Sequence, residues 1–368
     1  MTARQIYVWT HRVLGFTFGG FFALLGISGA LLVYRSNVDA FLDPAPYRVS
    51  GSTITVGPDA AVAIARRASD NGRLVQLDVP HATGWPGGAV YVADFKHQVG
   101  STLAYVDPHD GRILAQRRGK PAVTSAIKSF HTELLLGGAG KAIVAVLGGA
   151  FILTTAGGLL VWPGWRNLRN GLSISRTASA WRIGYDLHKI LGITSATFFL
   201  VFAATGILLV NKSATRAAFA IKPSRPPRVP AHSADARPLA LSGLLAAAHG
   251  AFPQSTARSI NLPALAHRPV VVYLIGPGDI DQIDGNERVY LDPITGAVLG
   301  RVDAMRDPAG FTDIVYALHT CRLWANGLPR AGAVVLGLVP VVLLGLATTT
   351  WALRQSARAR PKGAPLAH

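Results

Sequence analysis

His11-Arg12-Val13-Leu14-Gly15 opens the first long apolar run of this chain, and His188-Lys189-Ile190-Leu191-Gly192 opens the third. Each pentapeptide reads histidine, cation, branched apolar residue, leucine, glycine, so a histidine stands at the mouth of an apolar segment twice over. Working outward, four uncharged apolar runs cover residues 13–34, 142–162, 190–210 and 331–353, each 21 to 23 residues long. At 1.5 Å per residue such a run spans the roughly 30 Å of a hydrocarbon core. A mean hydropathy of +0.32 and only 15% charged residues agree with that reading. The expected fold is therefore a membrane α-helical protein with four transmembrane helices in a bundle. The first run is too long for the apolar region of a cleaved leader, and RSNVDAFLDP at 35–44 offers no small-x-small cleavage site.

Charge sets the expected orientation, because Lys and Arg collect in short loops on the cytoplasmic side. The N-terminus, the loop 163–189 and the tail after Leu353 hold Arg4, Arg12, Arg166, Arg169, Arg176, Arg182, Lys189, Arg354, Arg358, Arg360 and Lys362 against one acid, Asp186. Both termini are expected in the cytoplasm, with the long segments 35–133 and 211–330 outside. Trp162, Trp165, Trp181 and Trp351 fall at the cytoplasmic helix ends, where an interfacial aromatic belt is expected. Ten of the seventeen net positive charges belong to this rim and its attraction to anionic lipid, which leaves no basic surface concentrated enough for nucleic acid. The remaining outer excess is a mild bias toward anionic ligands.

The two outer segments repeat one order of signals. In the first, PDAAVAIARRA (58–68) has helical periodicity, RLVQLDV, AVYVADF and STLAYVD alternate, and Asp107-Pro108-His109-Asp110-Gly111 turns into RILAQ. In the second, PLALSGLLAAAHGAF (238–252) is helical, ARSINL, RPVVVYLI and ERVYLD alternate, and Asp292-Pro293-Ile294-Thr295-Gly296 turns into AVLGRV. The shared D-P-x-x-G is a hairpin turn, with Pro presetting φ and Gly taking φ > 0. The proline-rich stretch 222–230 is a stiff lead-in to the second segment. Each segment then reaches another histidine, His131 before the second apolar run and His319 before the fourth. The chain thus reads as an internal tandem duplication of helix, small α+β domain, helix. Two crossings per unit make it a parallel repeat about an axis along the membrane normal. Symmetry pairs His11 with His188 on the cytoplasmic side and His131 with His319 on the outer side.

Two facing histidines inside a helical bundle suit the axial positions of a haem iron, so four would hold two haems. Gly15 and Gly192, four residues after their histidines on the same helix face, would let a flat macrocycle approach. Arg12 and Lys189 are expected to meet propionate carboxylates. One cysteine, Cys321, and no C-x-x-C-H motif point to b-type haem. Zinc fits less well, since two histidines per face come without a carboxylate pair. Asp186 reads either as an orienter of His188 or as a loop charge, and Glu133 as an acid solvating the outer end. Cys321 has no partner for a disulfide. His81, His97, His109, His232, His249 and His267 have no repeat counterpart and read as surface or domain residues. Gly137-Gly138-Ala139-Gly140-Lys141 lacks the spacing of a phosphate loop, and no flavin or nicotinamide fingerprint occurs.

HRVLGFTFGGFFALLGISGALLVY, the doubled DPxxG turns, FHTELLLGGAGKAIVAVLGGAFILTTAGGLLVWPGW and HKILGITSATFFLVFAATGILLV together resemble the PepSY-associated transmembrane-helix family. The resemblance covers nearly the whole chain and is weakest at HTCRLWANGLPRAGAVV, before and into the fourth run. It implies a protein of the bacterial inner membrane with two periplasmic PepSY-like domains, and it sets His11, His131, His188 and His319 on the family's histidine positions. The implied layout is transmembrane helix 1 at 1–34, periplasmic domain 1 at 35–127, and an interfacial segment with helix 2 at 128–165. A cytoplasmic loop at 166–187, helix 3 at 188–210 and periplasmic domain 2 at 211–315 follow, then a segment with helix 4 at 316–354 and a tail at 355–368. The implied activity is that of a di-haem ferric-siderophore reductase, with electrons from a cytoplasmic reductase or quinol crossing to a periplasmic ferric chelate. Two other functions fit the same residues: a haem-free anchored PepSY module that binds a peptide, peptidase or envelope partner, and a haem subunit relaying electrons to another oxidoreductase.

Overall fold

The computed structural model describes residues 1–69, 72–81, 86–175, 177–221, 226–233, 235–265, 267–303, 307, 310–322 and 328–359. Arg176, Arg360 and Lys362 of the basic rim, the side chain of Arg358, the start of the proline-rich lead-in at 222–225 and residues 323–327 lie outside them. In chain order the elements are α1 (Ala3–Val33), α2 (Arg35–Leu42), α3 (Pro58–Arg67), β1 (Arg73–Asp78), β2 (Tyr91–Lys96), β3 (Ser101–Val106) and β4 (Ile113–Arg118). They continue with α4 (Ala122–Glu133), α5 (Gly137–Val161), α6 (Leu168–Leu172), α7 (Ala180–Val210), α8 (Lys212–Ala218) and α9 (Leu241–Ala251). Last come β5 (Thr256–Asn261), β6 (Val270–Ile275), β7 (Glu287–Leu291), β8 (Val298–Val302), α10 (Phe311–His319) and α11 (Leu328–Ala359). The chain divides into two compact units, one of Met1–Val33, Lys128–Asn211 and Arg330–His368, the other of Tyr34–Ile127 and Lys212–Pro329.

The first unit holds α1, α5, α7 and α11, each long and apolar enough to cross a membrane. Lipid solvates apolar side chains as well as a core does, so association of such helices rests on close packing at small residues. Gly26 of α1 and Gly337 of α11 meet backbone to backbone, and Ile207 of α7 fills the space over Gly148 of α5. Arg330 Nη2 donates to the Val33 carbonyl over 2.8 Å, which serves an end group of α1. Between α1, α5 and α7 the rings of Phe22, Phe151 and Phe199 stack in a row. Between α4 and α5 the chain reverses through Leu134, Leu135 and Gly137, all with positive φ, so the glycine-rich 137–140 stretch starts a helix after a tight turn.

α1 (Ala3–Val33) falls within the expected 1–34, whereas α7 begins at Ala180, ahead of the expected 188; each starts about two turns before its histidine. His11 and His188 are therefore well inside their helices. Hydropathy marks where side chains meet lipid, whereas backbone hydrogen bonding carries the helix on through polar residues such as Arg4 and Arg182.

The second unit is built on one antiparallel eight-stranded sheet in the order β4-β3-β2-β1-β5-β6-β7-β8. Each half is a meander, as its alternating runs predict. The sequence reading of two separate outer domains needs correction, because β1 and β5 pair directly, with Leu77 opposite Ile260. Each would otherwise be an open edge with unpaired N–H and C=O groups, and pairing removes both edges at once. Helices α3 and α9 cover the same face through one apolar core, in which Leu77, Phe95, Leu244, Ile260, Leu274 and Leu291 are fully buried. Asp59 on α3 accepts from the backbone N–H groups of Leu241 (2.7 Å) and Ser242 (3.1 Å), thereby capping α9 from the other half. The two D-P-x-x-G turns close as expected, with Gly111 at φ +76 and Gly296 at φ +70, their N–H groups bonded to the carbonyls of Asp107 and Asp292.

Candidate functional site

His11 and His188 meet in the first unit, with ring centroids 6.1 Å apart and ring planes at 86°. His11 Nδ1 lies 2.7 Å from the carbonyl oxygen of Thr154 on α5, and His188 Nδ1 lies 3.1 Å from that of Leu343 on α11. A carbonyl oxygen can only accept, so each ring carries its proton on Nδ1 and keeps its basic lone pair on Nε2. Neither Nε2 makes a hydrogen bond among the described residues. Fixing one ring nitrogen on a backbone carbonyl is how a metal-ligating histidine is held in tautomer and orientation. Four helices contribute, two supplying the imidazoles and the other two the carbonyls.

Space around the pair follows the glycines. A Cβ added at Gly15 or at Gly192 would meet nothing within 4 Å, so the helix faces one turn beyond both histidines are open. On α5 the opposite holds, since a Cβ at Gly157 or Gly158 would lie 3.5 or 3.1 Å from His11. Gly158 lets the imidazole lie against the α5 backbone, while Gly157 faces the His11 Cβ at an ordinary contact distance. They and Thr154 escape a reading of the sequence, because nothing in an apolar G-G step says which ring it will receive.

His131, in the last turn of α4, points its Nδ1 at the Leu25 carbonyl and at Ser28 Oγ, 3.0 Å from each. Gly29 makes room for its ring, with a would-be Cβ 3.0 Å from Cε1. Ser28 donates its own proton to Leu25, so its oxygen can accept from the histidine. His319 ends α10 in the second unit and is followed by Cys321 at φ +49. Arg322 there is buried and paired with Asp281 (3.5 Å) and Asp284, which ties the end of α10 to the loop before β7.

The cations beside the first pair divide. Arg12 is exposed. Lys189 corrects the expectation of a propionate partner: it is buried, with Nζ 2.7 Å from Asp186 Oδ1 and 2.7 Å from the Asn170 carbonyl. Asp186, only 1% exposed, also accepts from Ser175 N–H and Arg182 Nε, so it fastens the loop after α6 onto α7. A cation already neutralised in this way has little charge left for a ligand. Glu133 takes the Ser129 hydroxyl (2.7 Å) and Lys141 (3.7 Å) at the α4–α5 turn.

The family model of the PepSY-associated TM region matches residues 8–260, more than half of the chain. The chain belongs to that family. The match to the PepSY-associated TM region takes in α1, α5 and α7 with His11, His131 and His188 and ends within β5, so His319 and α11 lie beyond it. No curated protein matches the chain. With four apolar helices and this membership, it is a membrane protein of the PepSY-associated family.

Fitting the pair in this PepSY-associated protein to a metal is a matter of arithmetic and donor number. Metal–nitrogen bonds of about 2.0 Å put the centres of two imidazoles on opposite sides of one ion at roughly 6 Å, the spacing found here. Among the described residues no three His, Cys, Asp or Glu side chains converge. Two neutral nitrogens with open helix faces beside them suit an ion that brings its remaining ligands with it, as a haem does.

Proposed function

We propose that this is a di-haem b electron-transfer protein of the bacterial inner membrane, reducing a periplasmic ferric chelate of the siderophore class. The observation that carries the reading is the His11–His188 pair, with both Nδ1 atoms committed to backbone carbonyls and both glycine faces open. A haem bound there supplies one-electron exchange at its iron. His11 and His188 would hold it through Nε2, with Thr154 and Leu343 fixing the imidazole orientation, Gly158 seating the His11 ring and Arg12 offering a charge to propionates. By the repeat in the sequence, His131 and His319 are the residues that correspond to His11 and His188.

Basic residues around the lipid headgroups favour cytoplasmic termini, which sets the His11–His188 pair toward a cytoplasmic reductase or a quinol as donor. The sheet unit, its two halves read as a tandem duplication, then lies in the periplasm. Its modest positive excess favours an anionic chelate, and reduction to ferrous iron weakens binding by hard oxygen ligands.

The test is a visible spectrum of the detergent-purified protein, oxidised and then reduced, with a pyridine haemochrome count. We expect two b-type haems per chain, and loss of one from His188→Ala with the second retained. Near-perpendicular imidazole planes also predict the large-g form of the low-spin ferric EPR signal for the haem that this variant loses. Protein from haem-replete cells without a Soret band would leave a haem-free module binding an envelope partner as the better account. Two haems without direct reduction of a ferric chelate would leave the relay subunit.

A further inference from the structure

The row of phenylalanines in the first unit is not used by either histidine. Phe22 on α1 and Phe151 on α5 have ring centroids 4.7 Å apart, and Phe151 and Phe199 on α7 5.1 Å apart. Phe18 adds a looser fourth ring 6.4 Å from Phe22. Phe22 and Phe199 are 7% and 5% exposed, so these two ends of the row are closed. Three helices contribute one ring each.

On α1 the row lies between the two places where histidines dock. On α1, His11 precedes Phe22 by about 16 Å of helix, whereas Leu25, Ser28 and Gly29, which receive His131, follow it within roughly 10 Å. On α5, Phe151 is one turn beyond Thr154, the acceptor for His11. On α7, Phe199 lies three turns past His188. The row thus runs from one turn off the His11 docking point on α5 to mid-helix positions on α1 and α7, where leucines or valines would serve lipid packing equally well.

We propose that Phe22, Phe151 and Phe199 form an aromatic partition between the inner and outer halves of the bundle, through which electrons pass between the two sites. This rests on the di-haem reading above. Tunnelling decays least through closely packed matter, and tilted rings at these separations are in contact with one another. With haem bound at both sites, each transfer would carry one electron from a ferrous inner iron to a ferric outer one, exchanging their oxidation states. No bond is made or broken and no proton moves, and a quinol or reduced flavin restores the inner site.

The experiment replaces each ring singly, as Phe22→Leu, Phe151→Leu and Phe199→Leu, in the full-length haem-loaded protein. Leucine keeps an apolar side chain and removes the ring. In vesicles with the cytoplasmic face outward, dithionite is added outside only, and the reduction of the two haems is followed separately by their α-bands. The expected result is unchanged haem content and unchanged midpoint potentials, with reduction of the outer haem slowed at least about tenfold. Wild-type transfer rates in all three variants would overturn the partition, as would loss of a haem, which would make the rings pocket walls instead. A wild-type protein without haem would instead remove the di-haem reading itself and this inference with it.

Discussion

At His11 the ring rests on Gly158 of α5, and an added side chain there has a definite consequence. Gly158→Val should push the imidazole away from the Thr154 carbonyl and lower the haem-to-protein absorbance ratio, while Gly149→Val, at an open position on the same helix, should leave that ratio unchanged. Equal ratios in both variants would remove Gly158 from the seat. A second residue-scale prediction concerns His81, whose Nδ1 donates to Val79 over 2.7 Å. Burial pushes its pKa below the ordinary 6.5, against the pull of that hydrogen bond. The unfolded chain then takes up the proton first, so this contribution to stability is complete above pH 6.5 and lost as the pH falls from there toward the folded value. His81→Gln should flatten the thermal-melting profile between about pH 6.5 and 5, and an unflattened profile would move the acid sensitivity elsewhere. At this scale the four histidines are legible in the sequence, because an imidazole beside an apolar run is costly and a repeated one more so. The fate of Lys189 is only half legible: Asp186 stands one turn before it on α7, whereas the contact with the Asn170 carbonyl depends on α6 packing against α7.

At the scale of elements, two contacts between helices can be tested. Burial alone would raise the pKa of Asp59, but hydrogen bonds from Ser242 and Leu241 hold it below the ordinary 3.8. Its contribution is present above that value and lost as the pH falls through the folded pKa. Asp59→Ala should cost about 1 kcal/mol, read as a lower melting temperature of the full-length protein in detergent. No change would mean that water caps α9 equally well. The second contact is the close approach of α1 and α11. A Cβ at Gly26 would run into the Gly337 carbonyl, so Gly26→Leu must separate the helices and should destabilise by roughly 1–3 kcal/mol. Unaltered melting would show that the pair tolerates a wider crossing. Apolar runs and DPxxG turns announce these elements, but neither the length of α1 nor the choice of helix partners can be read from hydropathy. Backbone hydrogen bonds extend a helix past its apolar stretch, and small residues occur on several faces of each.

For the whole molecule the seam between β1 and β5 matters most. Ile260, fully buried opposite Leu77, belongs to one core shared by both halves. Ile260→Ala should cost about 2–5 kcal/mol and lower a single melting transition. Two separate transitions in the variant would instead show that each half folds alone. The charge-derived orientation has its own measurement: protease added to right-side-out vesicles should cut within 35–127 and 211–315. Cleavage confined to inside-out vesicles would reverse it.

By itself the sequence determined a four-helix membrane protein, two strand-rich segments of like order and a small set of histidines set against apolar runs. Those properties follow from the composition of contiguous stretches, which local physics converts into helices, hairpins and turns. Only the tertiary structure decided that His11 and His188 face each other at 6.1 Å, that carbonyls of α5 and α11 orient them, and that three phenylalanines align across the bundle. It also decided that two meanders share one sheet. Each of these joins residues far apart in the chain, and such contacts depend on which surfaces win the competition to pack, a choice that no single stretch encodes.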